Sequence, residues 1–425
     1  MLQRRPVRLW EPRPFALPPA GPMSLRCLFV VQGEGRGHLT QALALKKSLE
    51  AAGHRVPRVL LGRNPNREAP SFFLDEIGAP VERIDSPSFF MDGRRRAMAT
   101  LGRTIRKNVP LIGRFREGLR TVGRAIDAIR PDVVVNFHEV LAGVHYALRR
   151  RREPPPMVCV AHQYLFQHPA YPSFPPGRWV DWGWLRFFVG ATQLGAKKRL
   201  ALSLYPLPHR RDESLVVMPP LLREELTTPP AGPRVEEDPF FLMYLLNSGY
   251  AEEVVRWHRR HPGVRLHCFW DRPGAAEVER YDETLAFHAL DGEKFLSMMK
   301  RCRGLATTAG FESVAEAMYL GTPALMVPVE GHYEQHCNAR DGVRAGAGVA
   351  AASFDEGLSR LRALAGAAGD DDEGHFTPPT ARFRRWLGGA EARFVREIER
   401  AAGDASPPAT VPGGDGKAKT EARVA

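Results

Sequence analysis

The chain has 425 residues, 44% of them hydrophobic and 25% charged, which is ordinary globular composition with apolar material for a large core; wholesale disorder is excluded, and the length suits two or three domains. Its five cysteines (Cys27, Cys159, Cys268, Cys302, Cys337) are scattered, odd in number and free of CxxC spacing, so they read as reduced thiols, and neither a disulfide scaffold nor a zinc site can be built from them. The net charge of +12 is uneven: residues 1–230 carry 36 Lys and Arg against 19 Asp and Glu, residues 231–425 carry 24 against 29, and only nine of the 60 basic residues are lysine.

A basic first half suits nucleic acid, an anionic membrane surface or an acidic substrate, and an arginine-rich compositional bias accounts for it equally well. Residues 1–22 are basic but too proline-rich for a signal-peptide core, so they read as a disordered leader, with Met23 as an alternative start. Arg26–Gln32 is a short apolar run fit for a buried parallel strand. Helical spacing follows in LTQALALKKSLEAAG, closed by Gly53. Further strands are predicted at Arg58–Leu61, in PDVVVNF (Pro131–Phe137) and in PMVCVAHQ (Pro156–Gln163). The basic run Arg149–Arg152 reads as a solvated helix end. TTPPAGPRVEEDP (Thr227–Pro239) is the best linker in the chain. Beyond it the alternation restarts with FFLMYLLNSG, the helix AEEVVRWHRRH and the strand VRLHCFW. Residues 366–379, with the acidic triplet Asp370–Asp372, read as a solvated loop, and residues 403–425 as a disordered tail. Alternating strands and helices on both sides of a linker predict an α/β class with parallel sheets. The divisions are a leader (1–22), a first domain (23–228), a linker (229–240), a second domain (241–402) and a tail (403–425). No run of about eighteen uncharged apolar residues occurs, so no spanning helix is expected.

Two motifs carry chemistry. Gly33-Glu34-Gly35-Arg36-Gly37-His38 follows a strand and opens a helix, where small residues permit a tight turn and a helix N-terminus offers free N–H groups. A dinucleotide site needs a carboxylate about 20 residues on. The second strand instead ends in Gly62-Arg63, which disfavours NAD and leaves NADP conceivable. His38 follows the last glycine, a titratable group aimed into the crevice. The second motif is GLATTAGFESVAEAMYLGTPALMVPVEGHYEQHCNA (304–339). A strand (Gly304–Thr307) runs through the turn Thr308-Ala309-Gly310-Phe311 into a helix. Ser313 lies in the first turn, suited to a diphosphate. Glu316 lies one turn further on the same face, suited to ribose hydroxyls. Glu334 and Gln335 fall at the carboxyl end of the next strand, where open sheets bind ligands.

The segment 308–339 resembles the donor-binding motif of nucleotide-sugar glycosyltransferases with the GT-B fold. The nearest likenesses are the glycosyltransferase family 28 C-terminal domain and the UDP-glucuronosyl/UDP-glucosyl transferases. The opening GEGRGHLTQAL is similar to that of a bacterial subgroup. The resemblance implies two Rossmann-like domains with parallel sheets facing across a cleft. It implies that Gly310, Phe311 and Ser313 bind the donor diphosphate, that Glu316 binds ribose, and that Glu334 and Gln335 contact the sugar, followed by Asn338-Ala339. Gly35, Gly37 and His38 match the glycine loop and its histidine beside the acceptor. Asn247, Ser248 and Gly249 match a phosphate-facing loop more weakly, and His288–Leu290 lies where the main chain reads uracil. Two departures stand out: Thr308 replaces a histidine, and Glu312 replaces an asparagine beside a dianionic ligand.

The implied reaction is sugar transfer from a nucleoside diphosphate, a UDP-sugar by the resemblance, to an acceptor hydroxyl, inverting and metal-independent. No cofactor is expected, and His38, with an ordinary imidazole pKa, is the general base. Its acidic partner is open among Asp127, Asp132 and Glu139. Acceptors belong to the basic half, where Arg94–Arg96, Arg103/Arg106/Lys107, Arg149–Arg152 and the stretch WVDWGWLRFF (Trp179–Phe188) fit an anionic glycolipid at a membrane surface. The expected location is cytoplasmic, peripheral to the inner face. A nucleotide-sugar epimerase on the same fold and a basic nucleic-acid-binding protein are the competing readings. No nucleic-acid module is present to support the second.

Overall fold

The computed structural model describes residues 24–63, 71–87, 101–149, 154–171, 179–208, 214–226, 239–245, 248–272, 274–366 and 379–403. The leader, nearly all of the linker and tail, the loop with Asp370–Asp372, Asn247, Arg94–Arg96 and Arg150–Arg152 lie outside them, as does the side chain of Arg103.

The first sheet takes β1 (Arg26–Gln32), β2 (Arg55–Arg63), β3 (Val81–Asp85), β4 (Val133–Phe137), β5 (Met157–Ala161), β6 (Lys198–Leu202) and β7 (Leu215–Met218). They are all parallel, in the order β3-β2-β1-β4-β5-β6-β7. The connecting helices are α1 (Arg36–Ala51), α2 (Ser71–Glu76), α3 (Leu101–Asn108), α4 (Ile112–Ile129), α5 (Val140–Leu148) and α6 (Trp179–Thr192). The central strands are apolar throughout because both faces are covered: Phe29 and Val31 of β1 join one core, and Leu28 and Val30 join the other.

The second sheet repeats the plan with β8 (Phe240–Leu245), β9 (Arg265–Trp270), β10 (Val278–Arg280), β11 (Leu285–Ala289), β12 (Gly304–Thr307), β13 (Ala324–Met326) and β14 (Gly348–Ala350). Its order is β10-β11-β9-β8-β12-β13-β14, with β10 alone antiparallel to its neighbour. Its helices are α7 (Ala251–Arg260), α8 (Gly292–Met299), α9 (Phe311–Leu320), α10 (Tyr333–Ala345), α11 (Phe354–Gly366), α12 (Thr380–Leu387) and α13 (Ala390–Gly403). Met243 and Leu245 of β8 face one core and Phe240 and Leu242 the other.

The sequence reading assigns 241–402 to one unit, yet α13 packs on the first. Phe394, Ile398 and Ala401 share a core with Leu39, Leu45 and Val133. Lys198 Nζ meets Glu397 at 2.5 Å, His54 meets Glu399 at 3.2 Å, and Lys197 Nζ donates to the Ala401 carbonyl at 3.1 Å. The carboxyl ends of the two sheets face each other, which is the placement the functional residues require.

All five cysteines are free, and Cys302 alone is not fully buried. Among the described residues no helix is long and apolar enough to cross a membrane.

Candidate functional site

The first wall of the cleft is the glycine turn after β1. Gly33 is where backbone crowding is met: its N–H donates to the Gly62 carbonyl at 2.7 Å, and an added Cβ would stand 2.6 Å from Arg63 Cγ and 2.9 Å from that carbonyl. Gly35 caps α1 in an extended conformation and has ordinary space around it. Gly37 faces the opposite unit, where its Cβ would lie 3.1 Å from Glu312 Cγ.

His38, in the first turn of α1, is buried. Its ring stacks on His138 at 5.3 Å, and its Nε2 lies 3.4 Å from Gln163 Nε2. His138 sits just past β4 at φ 61°, a left-handed conformation that a bulky residue adopts at a cost. Burial, with the like charge of His162, lowers the His38 imidazole to about 4 against the opposing pull of Glu334 and of Gln41. The ordinary value expected from the sequence is therefore corrected: in the closed cleft His38 is firmly neutral at pH 7.

None of the three carboxylates considered as its partner reaches it. Asp127 pairs with Arg149 at 2.8 Å. Asp132, before β4 and so at the opposite edge of the sheet, accepts from the Arg26 N–H at 2.7 Å. Glu139 lies under Gly62, where a Cβ would overlap its carboxyl, and accepts from Ser86 Oγ at 2.5 Å and the Leu141 N–H at 3.0 Å. Its burial raises it to about 7, with those hydrogen bonds opposing and Glu34 adding to the rise.

The second wall is the edge of β8, β12 and β13. Ser248 and Gly249 occupy the turn after β8, next to β12 in the sheet. Thr308 is buried at the head of α9, Ala309 follows at φ 56°, and Gly310 caps the helix. Asn338 Nδ2 donates to the Ala309 carbonyl at 3.2 Å and so buttresses that strained turn. The Ser313 hydroxyl lies 3.3 Å from both the Gly310 carbonyl and Thr307 Oγ1. Phe311 stacks face to face on His162 of the first unit, at 4.7 Å and 4°.

Glu316 is buried and held at both oxygens by Arg223, Nε to Oε1 at 2.7 Å and Nη2 to Oε2 at 3.0 Å. Glu312 hydrogen-bonds Gln41 across the cleft, and its other oxygen is buried without a partner. Burial raises Glu312 to about 8, outweighing the Gln41 hydrogen bond, with the Glu316 charge adding to it. A carboxyl raised in this way carries less negative charge at neutral pH than an ordinary glutamate does.

Glu334, at the head of α10, meets His162 Nε2 at 3.3 Å and accepts from Gln163 Nε2 at 3.2 Å. Burial pushes its carboxyl up, but the His162 hydrogen bond and the imidazoles of His162, His332 and His138 hold it well below the usual carboxylate range. Gln335 spends its side-chain oxygen on the Val329 N–H at 2.8 Å, so it braces the loop before α10. His288 is the penultimate residue of β11, stacked on Phe269 at 4.8 Å.

The structure thus brings His38, Gly37, Phe311, Ser313, Glu316 and Glu334 to one cleft. It adds Gln41, His138, His162, Gln163 and Arg223, which the sequence reading did not single out. The polar pairs His138-Glu139 and His162-Gln163, each directly after a fully buried parallel strand, were the available signal for three of them. Arg223 sits in irregular chain before the linker and has no such mark.

Residues 25–363 match the family model described as glycosyl transferase family 1. An "uncharacterized glycosyltransferase" of Methanosarcina acetivorans is 24% identical over 344 residues, covering 74% of this chain and 80% of its own. Among solved structures, the "glycotransferase of kitacinnamycin" superposes with a TM-score of 0.61 at 19% identity, over 89% of this chain and all of that one. Arabidopsis thaliana UGT89C1, complexed with quercetin, gives 0.58 at 16% identity, over 89% and 100%. The arrangement of two Rossmann-like units across a cleft is the GT-B fold.

Proposed function

The chain belongs to glycosyltransferase family 1, and from that premise we propose that it transfers a sugar from a nucleoside diphosphate, by the resemblance a UDP-sugar, to an acceptor hydroxyl, with inversion and without a metal. The observation that carries this reading is the convergence of a neutral His38, the ionised Glu334 and the head of α9 in one cleft.

The barrier in such a reaction is charge separation, as an oxocarbenium-like sugar forms and a diphosphate leaves. The N-terminus of α9, with the Ser313 hydroxyl in its first turn, would take up the leaving charge through free N–H groups and the helix dipole. His38 Nε2 would accept the proton of the acceptor hydroxyl once that hydroxyl replaces the Gln163 N–H on its single lone pair, and the incoming diphosphate, being negative, would raise its basicity from the closed-state value. A general base contributes about 10²–10⁴-fold. Glu316 would bind ribose after exchanging its arginine for the hydroxyls. Glu334 would contact the sugar.

The acceptor side bears α6, whose Trp179 (77%), Val180 (52%) and Phe187 (65%) are exposed, with Arg186 over Trp182. Exposed aromatics on a basic half suit an anionic membrane face presenting a lipid-linked acceptor, on the cytoplasmic side. Flotation with liposomes should require acidic lipid and fail for Trp179→Glu/Phe187→Glu.

The test of the donor reading is a thermal-shift screen against UDP-, dTDP- and GDP-sugars with wild type and Glu316→Ala, since a ligand that binds the folded state raises its melting temperature by mass action. One nucleotide-sugar should shift the wild type and not the variant. No shift from any of them would overturn the reading, and an anomeric product with retained configuration would remove His38 as base.

A further inference from the structure

Gln163 is 3% exposed and stands between two groups that belong to different units. Its single amide nitrogen lies 3.2 Å from Glu334 Oε1 and 3.4 Å from His38 Nε2, while its own Oε1 is buried without a partner. An amide nitrogen carries two hydrogens and accepts nothing, so both contacts are donations. The reverse orientation could still accept from an Nε2–H form of His38, but it would set a carbonyl oxygen against the Glu334 carboxylate, oxygen against oxygen at 3.2 Å. The Glu334 charge therefore fixes the amide, and the amide fixes the imidazole: a nitrogen that accepts at Nε2 must carry its proton at Nδ1. Among the described residues His38 Nδ1 has no partner in hydrogen-bond geometry.

We propose that Gln163 is a positioning residue that sets the tautomer of His38, aimed by the Glu334 carboxylate from across the cleft, so that Nε2 stays an unprotonated acceptor only when the two units are closed on each other. This rests on the reading of His38 as the base. It supplies what Asp127, Asp132 and Glu139 do not, an acidic partner for that histidine, in the form of a carboxylate one amide away. Other groups facing His38 are His138 after β4, His162 after β5 and Gln41 on its own helix; His332 bears on Glu334. None of these is an anion, so the Glu334 charge is the one that the amide transmits.

The tautomer is read directly by long-range ¹H–¹⁵N spectra of full-length protein with ¹⁵N-labelled histidine, with His38 assigned by difference from His38→Gln. Wild type at pH 7 should show the Nδ1–H form. Gln163→Met, close in shape, and Glu334→Gln should each show a mixture of both tautomers. Their titrations should diverge. Losing a donor to the neutral ring raises the His38 midpoint in Gln163→Met, and losing the anion lowers it in Glu334→Gln. A loosened structure would not move the two in opposite directions. An Nε2–H form in wild type, or an unchanged tautomer in Gln163→Met, overturns the proposal. Turnover by His38→Gln at the wild-type rate, with the tautomers as expected, would instead sink the base reading and leave the role of Gln163 standing.

Discussion

Glu139 presses its carboxyl against the Cα of Gly62 and leaves Oε2 buried and unpaired, so the folded protein holds its proton more tightly than the unfolded chain does. A group whose folded pKa is raised, here from 4.5 to about 7, stabilises the fold fully below the unfolded value and loses that contribution as pH climbs to the folded one. Stability should therefore fall between pH 4.5 and 7 by up to about 3 kcal/mol from this residue. Glu139→Gln keeps an acceptor for Ser86 and should flatten that part of a urea-denaturation profile; an unchanged slope would assign it to other groups. Arg223 makes the complementary case. Its bidentate grip on buried Glu316 occupies both oxygens that ribose hydroxyls would use. Removing one member of such a pair costs about 3–5 kcal/mol because it strands a buried charge. Arg223→Met should melt earlier than wild type without ligand, yet gain a larger shift from the nucleotide-sugar, which restores partners to Glu316. A smaller shift would mean that Arg223 itself binds the donor. The position of Glu316 was legible from its place one turn beyond Ser313. Its arginine was not, because a contact across 93 residues leaves no local pattern.

Among the elements, the glycine turn separates backbone need from ligand need. Gly33→Ala would force its methyl into Arg63 and the Gly62 carbonyl, an overpacking that costs about 1–3 kcal/mol. Gly35→Ala meets nothing closer than 3.8 Å and should cost only about 0.5–1 kcal/mol, from a poorer N-cap residue on α1. Equal losses in the two variants would show that the turn is not held by its approach to β2. The strands themselves were readable. β1 and β12 have the bounds expected for them, since the centre of a parallel strand buried on both faces must be apolar at every position. β2 extends beyond the expected Arg58–Leu61 to Arg55–Arg63, because Arg55 and Gly62 lie outside its apolar centre yet still pair with β1. The turn at Thr308–Phe311 was found from its small residues, but the roles of Gln335 and Asn338 as braces of neighbouring backbone come from loop paths that composition does not encode.

Across the whole molecule, the cleft closes on itself through pairs drawn from both units: Gln41 with Glu312, His162 with Phe311, Gln163 with Glu334 and Arg223 with Glu316. If the donor sits there as proposed, binding exchanges protein contacts for ligand contacts, and the two units need a connection that survives the exchange. α13 provides it. The last described helix returns to the first sheet and buries Phe394, Ile398 and Ala401 beside α1. Sequence reading grouped it with the second unit because its apolar spacing shows that a face is buried and says nothing of which core receives it. Phe394→Ala should cost about 3–5 kcal/mol, and the loss should appear far away in sequence. Hydrogen exchange should rise in α1 and β4, while α7 and α11, which pack on the second sheet, keep their protection. Faster exchange confined to residues 390–403 would show α13 to be an appendage. Exchange spreading equally through both units would show that they unfold as one, with the cleft contacts and α13 acting together rather than α13 alone joining them.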